Sequence, residues 1–378
     1  MHVTFEYIAA AGLIFVMLAV TTAMTSSLNY VYTTQKTEFQ LVEVAESTLD
    51  KMLLHSGDPR PWGTDLSINV TNTDGLAAFG LSTGNQNIYR LDPDKVGRLH
   101  NGSVSNPYDN YYYVPPETAA NLLGLGRDYG FKLSILPIFK VDAETPPTDT
   151  VLHFNVSSQT GAEIPSANVT AYAFWPHKVT GQWYLLNATL SGITDWRGSC
   201  HLDFAGMGPN GVDPDFSTAV FIVVTDFHGL QGIAGVDNPN RPGDLFSVVV
   251  ADRLFLSYPE GGGAGGGDPQ GAILYMETLK ALTFPYVHHQ ESEPPRVVNT
   301  GSKQFIEYRM DEVDPYSNAF LFIAKKTGNY WVSIALRPPP CIYQTQVALP
   351  PHTSTVIRLV DINGFNYFVR FTLWRMSE

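Results

Sequence analysis

Charge is scarce in this 378-residue chain. Asp, Glu, Lys and Arg make up 16% of it, against about 25% in an ordinary soluble domain. The shortage is sharper on the basic side, with 23 Lys and Arg against 36 Asp and Glu and a formal net charge of -13. Such a chain repels a phosphate backbone, and no basic run with interleaved aromatics reverses the balance locally. Nucleic acid is therefore excluded as a partner. Cysteine is scarcer still. Cys200 and Cys341 are too few for a disulfide scaffold or a thiolate zinc site. A bridge between them would require two separate parts of the chain to pack closely, so two buried thiols are expected. No Gly-x-Ser-x-Gly elbow, P-loop or His-Glu-x-x-His motif occurs, and no catalytic residue or cofactor is assigned. An enzyme is not expected.

Apolar residues, by contrast, reach 44% and aromatics 12%, enough to build cores in a chain long enough for two or three domains of roughly 150 residues. Their distribution is uneven. No charged side chain occurs from Tyr7 to Gln35, and residues 7–24 are dense in Leu, Ile, Val, Phe and Ala. About 20 such residues, rising 1.5 Å each, cross the ~30 Å hydrocarbon layer of a bilayer. The residues ahead of the run contain no Lys or Arg, and the one Ala-x-Ala pattern, Ala9 to Ala11, lies at its start. Both features argue against a cleaved secretory signal. The expectation is a single-pass anchor in the cell membrane. Counting flanking cations does not orient it, because Lys36 and Lys51 sit among Glu38, Glu43, Glu46 and Asp50. Asn-x-Ser/Thr sequons at Asn69, Asn101, Asn155, Asn168 and Asn187 are candidate glycosylation acceptors and favour an extracytoplasmic C-terminal body.

Beyond the apolar run, Phe39, Val42, Ala45, Leu49, Met52 and Leu53 recur at helical spacing. One helix from about Glu6 to His55, roughly 75 Å long, is predicted, its first half suited to lipid or other helices and its second half to a globular partner. Gly57, Pro59 and Pro61 stop it.

The segment Thr4-Phe-Glu-Tyr-Ile-Ala-Ala-Ala-Gly-Leu-Ile-Phe15 resembles the N-terminus of archaeal type IV pilin-like proteins, including those with class III signal sequences. The stretch Leu53-Leu-His-Ser-Gly-Asp-Pro-Arg-Pro-Trp-Gly63 resembles the turn of archaeal and TadE-like pilin-related membrane proteins. The resemblance covers about the first 60 residues and extends weakly through Tyr89 to Val96. It implies a filament or cell-surface protein in which Glu6, with Tyr7, Gly12 and Phe15 on the same helix, contacts identical or related subunits. Pilin precursors carry a short basic leader, which does not precede Glu6 here; removal of Met1 alone would give Glu6 the mature pilin spacing. A carboxylate in nonpolar surroundings is costly unless it meets a cation, such as a neighbour's terminal amine. A membrane-edge acid at a helix start, favoured by the macrodipole, is the alternative.

The predicted architecture is a membrane-anchored long N-terminal helix (1–57), a small α+β domain packed on it (58–142), and two mainly-β, sandwich-like domains. In the α+β domain, Asp92-Pro-Asp-Lys-Val opens one short helix, Glu117 to Gly124 forms another after Pro115 and Pro116, and Tyr129 to Phe139 is a strand. Tyr111 to Tyr113 reads as a strand with partly buried rings. A Pro-rich linker then leads into short strands over 150–252, whose order resembles bacterial Ig-like and carboxypeptidase-regulatory-like domains of surface proteins. The Gly-rich stretch 259–270 is read as a flexible joint, and 271–378 as a C-terminal mainly-β domain. His288, His289 and Glu291 read as a solvated loop, and the acid pairs Asp92/Asp94 and Asp311/Asp314 do not have EF-hand spacing. A structural or adhesive cell-surface protein is expected; the alternative is an anchored accessory protein that binds a surface polysaccharide or protein ligand.

Overall fold

A computed structural model of the protein describes residues 17–18, 20–22, 24–25, 39–84, 88–100, 112–143, 150–179, 182–208, 219–236, 246–258, 272–275, 286–287, 296–300, 303–309, 317–326, 329–346, 350 and 352–376. Among them, no helix is long and apolar enough to cross a membrane. The predicted anchor lies largely outside the described residues, as do the proposed glycine joint, the His288–His289 pair and Asp311 to Asp314.

Helix α1 is described over 39–54 and ends three residues ahead of Gly57, where the sequence places its stop. Its buried face is Leu41, Ala45, Thr48, Leu49, Met52 and Leu53, whereas Phe39 and Val42 are exposed. The apolar stripe is thus rotated from the predicted one at its start. The face packs on a four-stranded antiparallel sheet of order β17-β1-β19-β18, comprising β1 (Tyr129–Pro137), β17 (Cys341–Gln344), β18 (Ser354–Ile362) and β19 (Phe365–Arg375). Phe131, Leu133 and Ile135 of β1 and Val369, Phe371 and Leu373 of β19 alternate into this core. Helices α2 (Pro93–Gly97) and α3 (Pro116–Leu123) form as predicted; Asp92 caps the first, and Gly124, in the left-handed conformation, ends the second.

The α+β unit is not continuous in sequence. Its central strand β1 pairs with β19 over Tyr129↔Arg375 to Pro137↔Tyr367 and with β17 over Lys132↔Gln344 to Ile135↔Cys341. The chain leaves this sheet after β1 and returns more than 200 residues later to complete it. The strands read from sequence as the end of a separate C-terminal domain therefore belong to the N-terminal core.

Between departure and return lies a seven-stranded sandwich. One sheet has order β2-β3-β6, from β2 (Phe139–Ala143), β3 (Val151–Ser158) and β6 (Ser199–Asp203). The other has order β5-β4-β7-β8, from β4 (Asn168–Val179), β5 (Gln182–Ile193), β7 (Val220–Phe227) and β8 (Leu230–Val236). Two antiparallel sheets joined in this order make an Ig-like sandwich. The segment at Asp244 to Val250, expected to be one of its strands, instead supplies β9 (Phe246–Val250) to another sheet of order β13-β14-β10-β9. In that sheet β10 (Arg253–Tyr258) pairs with β14 (Lys303–Arg309), so strands on either side of the Gly-rich stretch are hydrogen-bonded to each other. β13 is Arg296–Thr300. A last sheet, of order β12-β11-β15-β16, is built from β11 (Ala272–Tyr275), β12 (Tyr286–Val287), β15 (Ala319–Lys326) and β16 (Asn329–Leu336).

Around β7 the larger sheet of the sandwich is buried on both faces, whereas the outer face of β5 is open. Val169, Ala171, Ala173, Trp175 and Val223 point toward β2-β3-β6, while Phe174, Val220, Ile222 and Ile233 join the core that includes Leu321 and Ile334. Strands covered on both sides read as continuous apolar runs, as Phe221-Ile-Val-Val does.

Candidate functional site

The turn that follows α1 is tightly built. Gly57 sits at φ +77°, and a Cβ there would lie 2.7 Å from Trp62 Nε1 and 2.8 Å from the Ala78 carbonyl. At Gly80 a Cβ would fall 2.2 Å from the His55 carbonyl oxygen. Only glycine fits either position. Trp62, fully buried, donates its indole N–H to the Gly80 carbonyl at 2.9 Å. The predicted pilin-like turn is therefore a packed junction.

Helix α2 is the second half of that junction, and it carries three charged side chains that are all buried: Asp94, Lys95 and Arg98 at its end. The Lys95 ammonium donates to the carbonyls of Ser56 and Ser82, both at 2.8 Å, with Asp92 Oδ2 at 3.8 Å. Burial lowers its pKa, opposed by the Asp92 carboxylate. Burial likewise raises that of Asp92, reinforced by neighbouring Asp94. Arg98 donates from Nε to the Tyr112 carbonyl at 2.5 Å and from Nη1 to those of Trp62, Gly63 and Asp65 at 3.0 to 3.1 Å. Its Nη2 donates to the Ile68 carbonyl. Burial brings the guanidinium down to about 10, so it keeps its proton at neutral pH. Asp94 accepts from Arg337, in the β16–β17 connection, with Nε to Oδ1 at 2.9 Å and Nη2 to both oxygens at 2.5 Å. Asp94 is thus bound to an arginine and Asp92 caps a helix, which removes the Asp92/Asp94 pair from consideration as a calcium site.

This constellation joins four stretches of chain, and its donors end on carbonyls and a carboxylate, away from solvent. It is a structural clasp. Sequence reasoning missed it because Lys and Arg ordinarily read as solvated; the signal available was their clustering with Trp62 and several glycines in a charge-poor chain.

The predicted assembly residues Glu6, Tyr7, Gly12 and Phe15 lie outside the described residues, as does Asn101. The other sequons divide. Asn69 is only 8% exposed, and its side chain closes a turn, accepting from Thr71 N and Asn72 N and donating to the Ser67 carbonyl. The folded chain does not offer it to solvent as a glycan acceptor. Asn155 is half-buried, with its Oδ1 2.5 Å from the Ser199 hydroxyl. Asn168 and Asn187 are exposed and share the face of the larger sheet that carries Thr170, Thr189 and Ser191. Tyr112 and Tyr113 form no strand: the Tyr112 carbonyl serves Arg98, and the Tyr113 ring meets Tyr343 edge-on at 5.9 Å. Both cysteines are free and buried; burial lifts the Cys341 thiol to about 12 and raises that of Cys200.

Two surface features remain. Trp196 is 72% exposed, with the Arg197 guanidinium 4.4 Å from its ring centre, in the turn between β5 and β6. On the outer face of the smaller sheet, His153 and His201 stand opposite each other, ring centres 4.2 Å apart. Among the described residues, no group of three or more His, Cys, Asp or Glu side chains converges as a ready metal site.

No family model matches the chain, and no curated protein matches it. Among solved structures, the titin Ig tandem domains A164-A165 and titin A168169 align at 10% identity over 54% of this chain and 96% and 97% of theirs, each with a TM-score of 0.12. A similarity of that size carries no argument, and the Ig-like description rests on the strand order.

Proposed function

We propose that the chain is a membrane-anchored, extracytoplasmic structural or adhesive protein, a pilin-like filament subunit or a surface stalk. The observation that carries this reading is a contrast along the N-terminal helical residues. Leu41, Ala45, Leu49 and Met52 are covered by the body, whereas Met17, Leu18, Val20 and Met24, also helical, are 51 to 66% exposed. Apolar side chains left uncovered by their own chain call for lipid or a neighbouring helix. The adjoining charge-free sequence and its resemblance to pilin-like proteins support the same partners: a bilayer, and identical or related subunits meeting through Glu6, Tyr7, Gly12 and Phe15. An Ig-like sandwich suits spacing or adhesion, although a fold by itself assigns neither. The exposed Trp196 favours a second reading, an anchored accessory protein that holds a surface polysaccharide through its indole face.

Protease treatment of intact cells tests the topology. The expected outcome is digestion of the body with an N-terminal fragment retained in the membrane after alkaline extraction; complete protection of the body refutes external exposure. Electron microscopy of native extracts then separates filament from stalk.

A further inference from the structure

We propose that His153 and His201 form a two-histidine site for a borderline transition-metal dication, of which Zn2+ is the representative. In the β3–β6 register His153 pairs with His201. Backbone N–H groups of Phe204 and Val156 donate to the Thr150 and Gly198 carbonyls, which makes 150/204 and 156/198 hydrogen-bonded pairs of the ladder. Antiparallel pairs alternate, so 153/201 is a non-hydrogen-bonded pair, the kind that brings opposing side chains closest, with Cα atoms about 4.5 Å apart. Leu152, Phe154, Cys200 and Leu202 point into the sandwich core. The intervening His153 and His201 therefore point out, half-buried and exposed respectively.

The rings stand edge to face, interplanar angle 90°, with centres 4.2 Å apart. A tetrahedral ion about 2.0 Å from one nitrogen of each ring places those nitrogens about 3.3 Å apart, within reach of two rings so close after rotation of the side chains. Among the described residues, neither imidazole spends a nitrogen on a protein hydrogen bond. The ladder holds both backbones in register, so only side-chain rotation is lost on binding. The surroundings are acidic. Asp203 lies two residues from His201 on the same face, with its Oδ1 2.9 Å from the Thr150 hydroxyl. Asp195 is near enough to feel His201 electrostatically. The cation on this face, Lys140, is tied to Asp142 at 2.5 Å. Two imidazoles leave the remaining coordination positions to water, as in an open site rather than a closed structural one.

The test uses the full chain in detergent, titrated with Zn2+ alone by calorimetry, alongside His153→Gln, His201→Gln and a double variant at His288 and His289. The expected result is one strongest binding event per chain, weakened roughly tenfold or more by either single substitution and unchanged by the His288/His289 variant. Its persistence in the His153 and His201 variants, its loss with His288 and His289, or the absence of any saturable binding overturns the proposal. A second measurement requires no variant: Cu2+ added at one equivalent to the wild-type chain should show electron-spin coupling to two imidazole nitrogens. Coupling to one nitrogen or none rejects the pair.

Discussion

The two cores of this protein are held together by different means. The sandwich core, from Phe139 and Leu152 to Trp175 and Phe221, buries Cys200 and the hydroxyls of Thr194 and Thr225 but, among the described residues, no charged side chain. The core beneath α1 and around α2 is also apolar at its centre, but its margin carries buried Asp94, Lys95, Arg98 and Arg337. The difference follows from the backbone. Strands β2 to β8 satisfy their N–H and C=O groups through ladders, so their side chains are free to be hydrocarbon. Residues 55–82 form turns and isolated bridges, which leaves carbonyls of Ser56, Trp62, Gly63, Asp65, Ile68 and Ser82 facing inward without strand partners. Long cationic side chains reach them. Among the described residues, buried charge gathers where backbone regularity ends.

The strongest way to break that arrangement is Arg98→Met. It strips the donor from five carbonyls at once. Each buried acceptor left unpaired costs about 1–3 kcal/mol, so a loss of about 4 kcal/mol or more is expected even after water enters. Hydrogen exchange reads the two cores separately: amides of Leu49 and Met52 should lose protection by that amount, while those of Val169 and Ala171 in the sandwich keep theirs. Equal losses in both cores would show that the clasp stabilises the whole chain, and a loss below 1 kcal/mol would show that the carbonyls need no cation.

Asp94 and Arg337 come next, because they tie α2 to the connection from which the chain re-enters the N-terminal sheet. Removing one member of a buried pair leaves the other charge uncompensated, at about 3–5 kcal/mol. Asp94→Leu should cost that much, and Asp94→Leu with Arg337→Met should recover most of it, measured as the midpoint shift in urea. Failure of the second substitution to rescue the first would mean that Asp94 acts mainly within its own helix.

How much of this was readable beforehand depends on the range of the interaction. Asp92-Pro93 and Pro116 with Gly124 announced α2 and α3 because caps are local chemistry, alternation marked β3, β4, β18 and β19, and β7 showed as a short continuous apolar run. β8 escaped notice because Leu230-Gln-Gly-Ile-Ala-Gly-Val carries two glycines where a strand usually has bulk. β2 was hidden by its position, immediately after β1 with Ile138 between them. Neither the pairing of β1 with β19 nor the facing of His153 and His201 has a local signature, since both are registers between distant segments. Division of the chain into successive domains therefore went astray at the sheet that β1 builds with β17, β18 and β19.

The finest comparison is a single substitution made at two tryptophans. Trp62 and Trp175 are both fully buried, one in each core. The Trp62 indole N–H donates to the Gly80 carbonyl, whereas among the described residues the Trp175 N–H has no partner. Replacement by Phe removes similar volume from each site. At Trp62 it also orphans a buried carbonyl, adding about 1–3 kcal/mol to the cost. At Trp175 it removes an unpaired donor, and relief of that desolvation offsets the lost packing to within about 1 kcal/mol. Urea unfolding of the two variants should therefore place Trp62→Phe about 2 kcal/mol or more below Trp175→Phe. Equal costs would mean that the polar bonds at the margin of the first core contribute no more than the hydrocarbon they accompany.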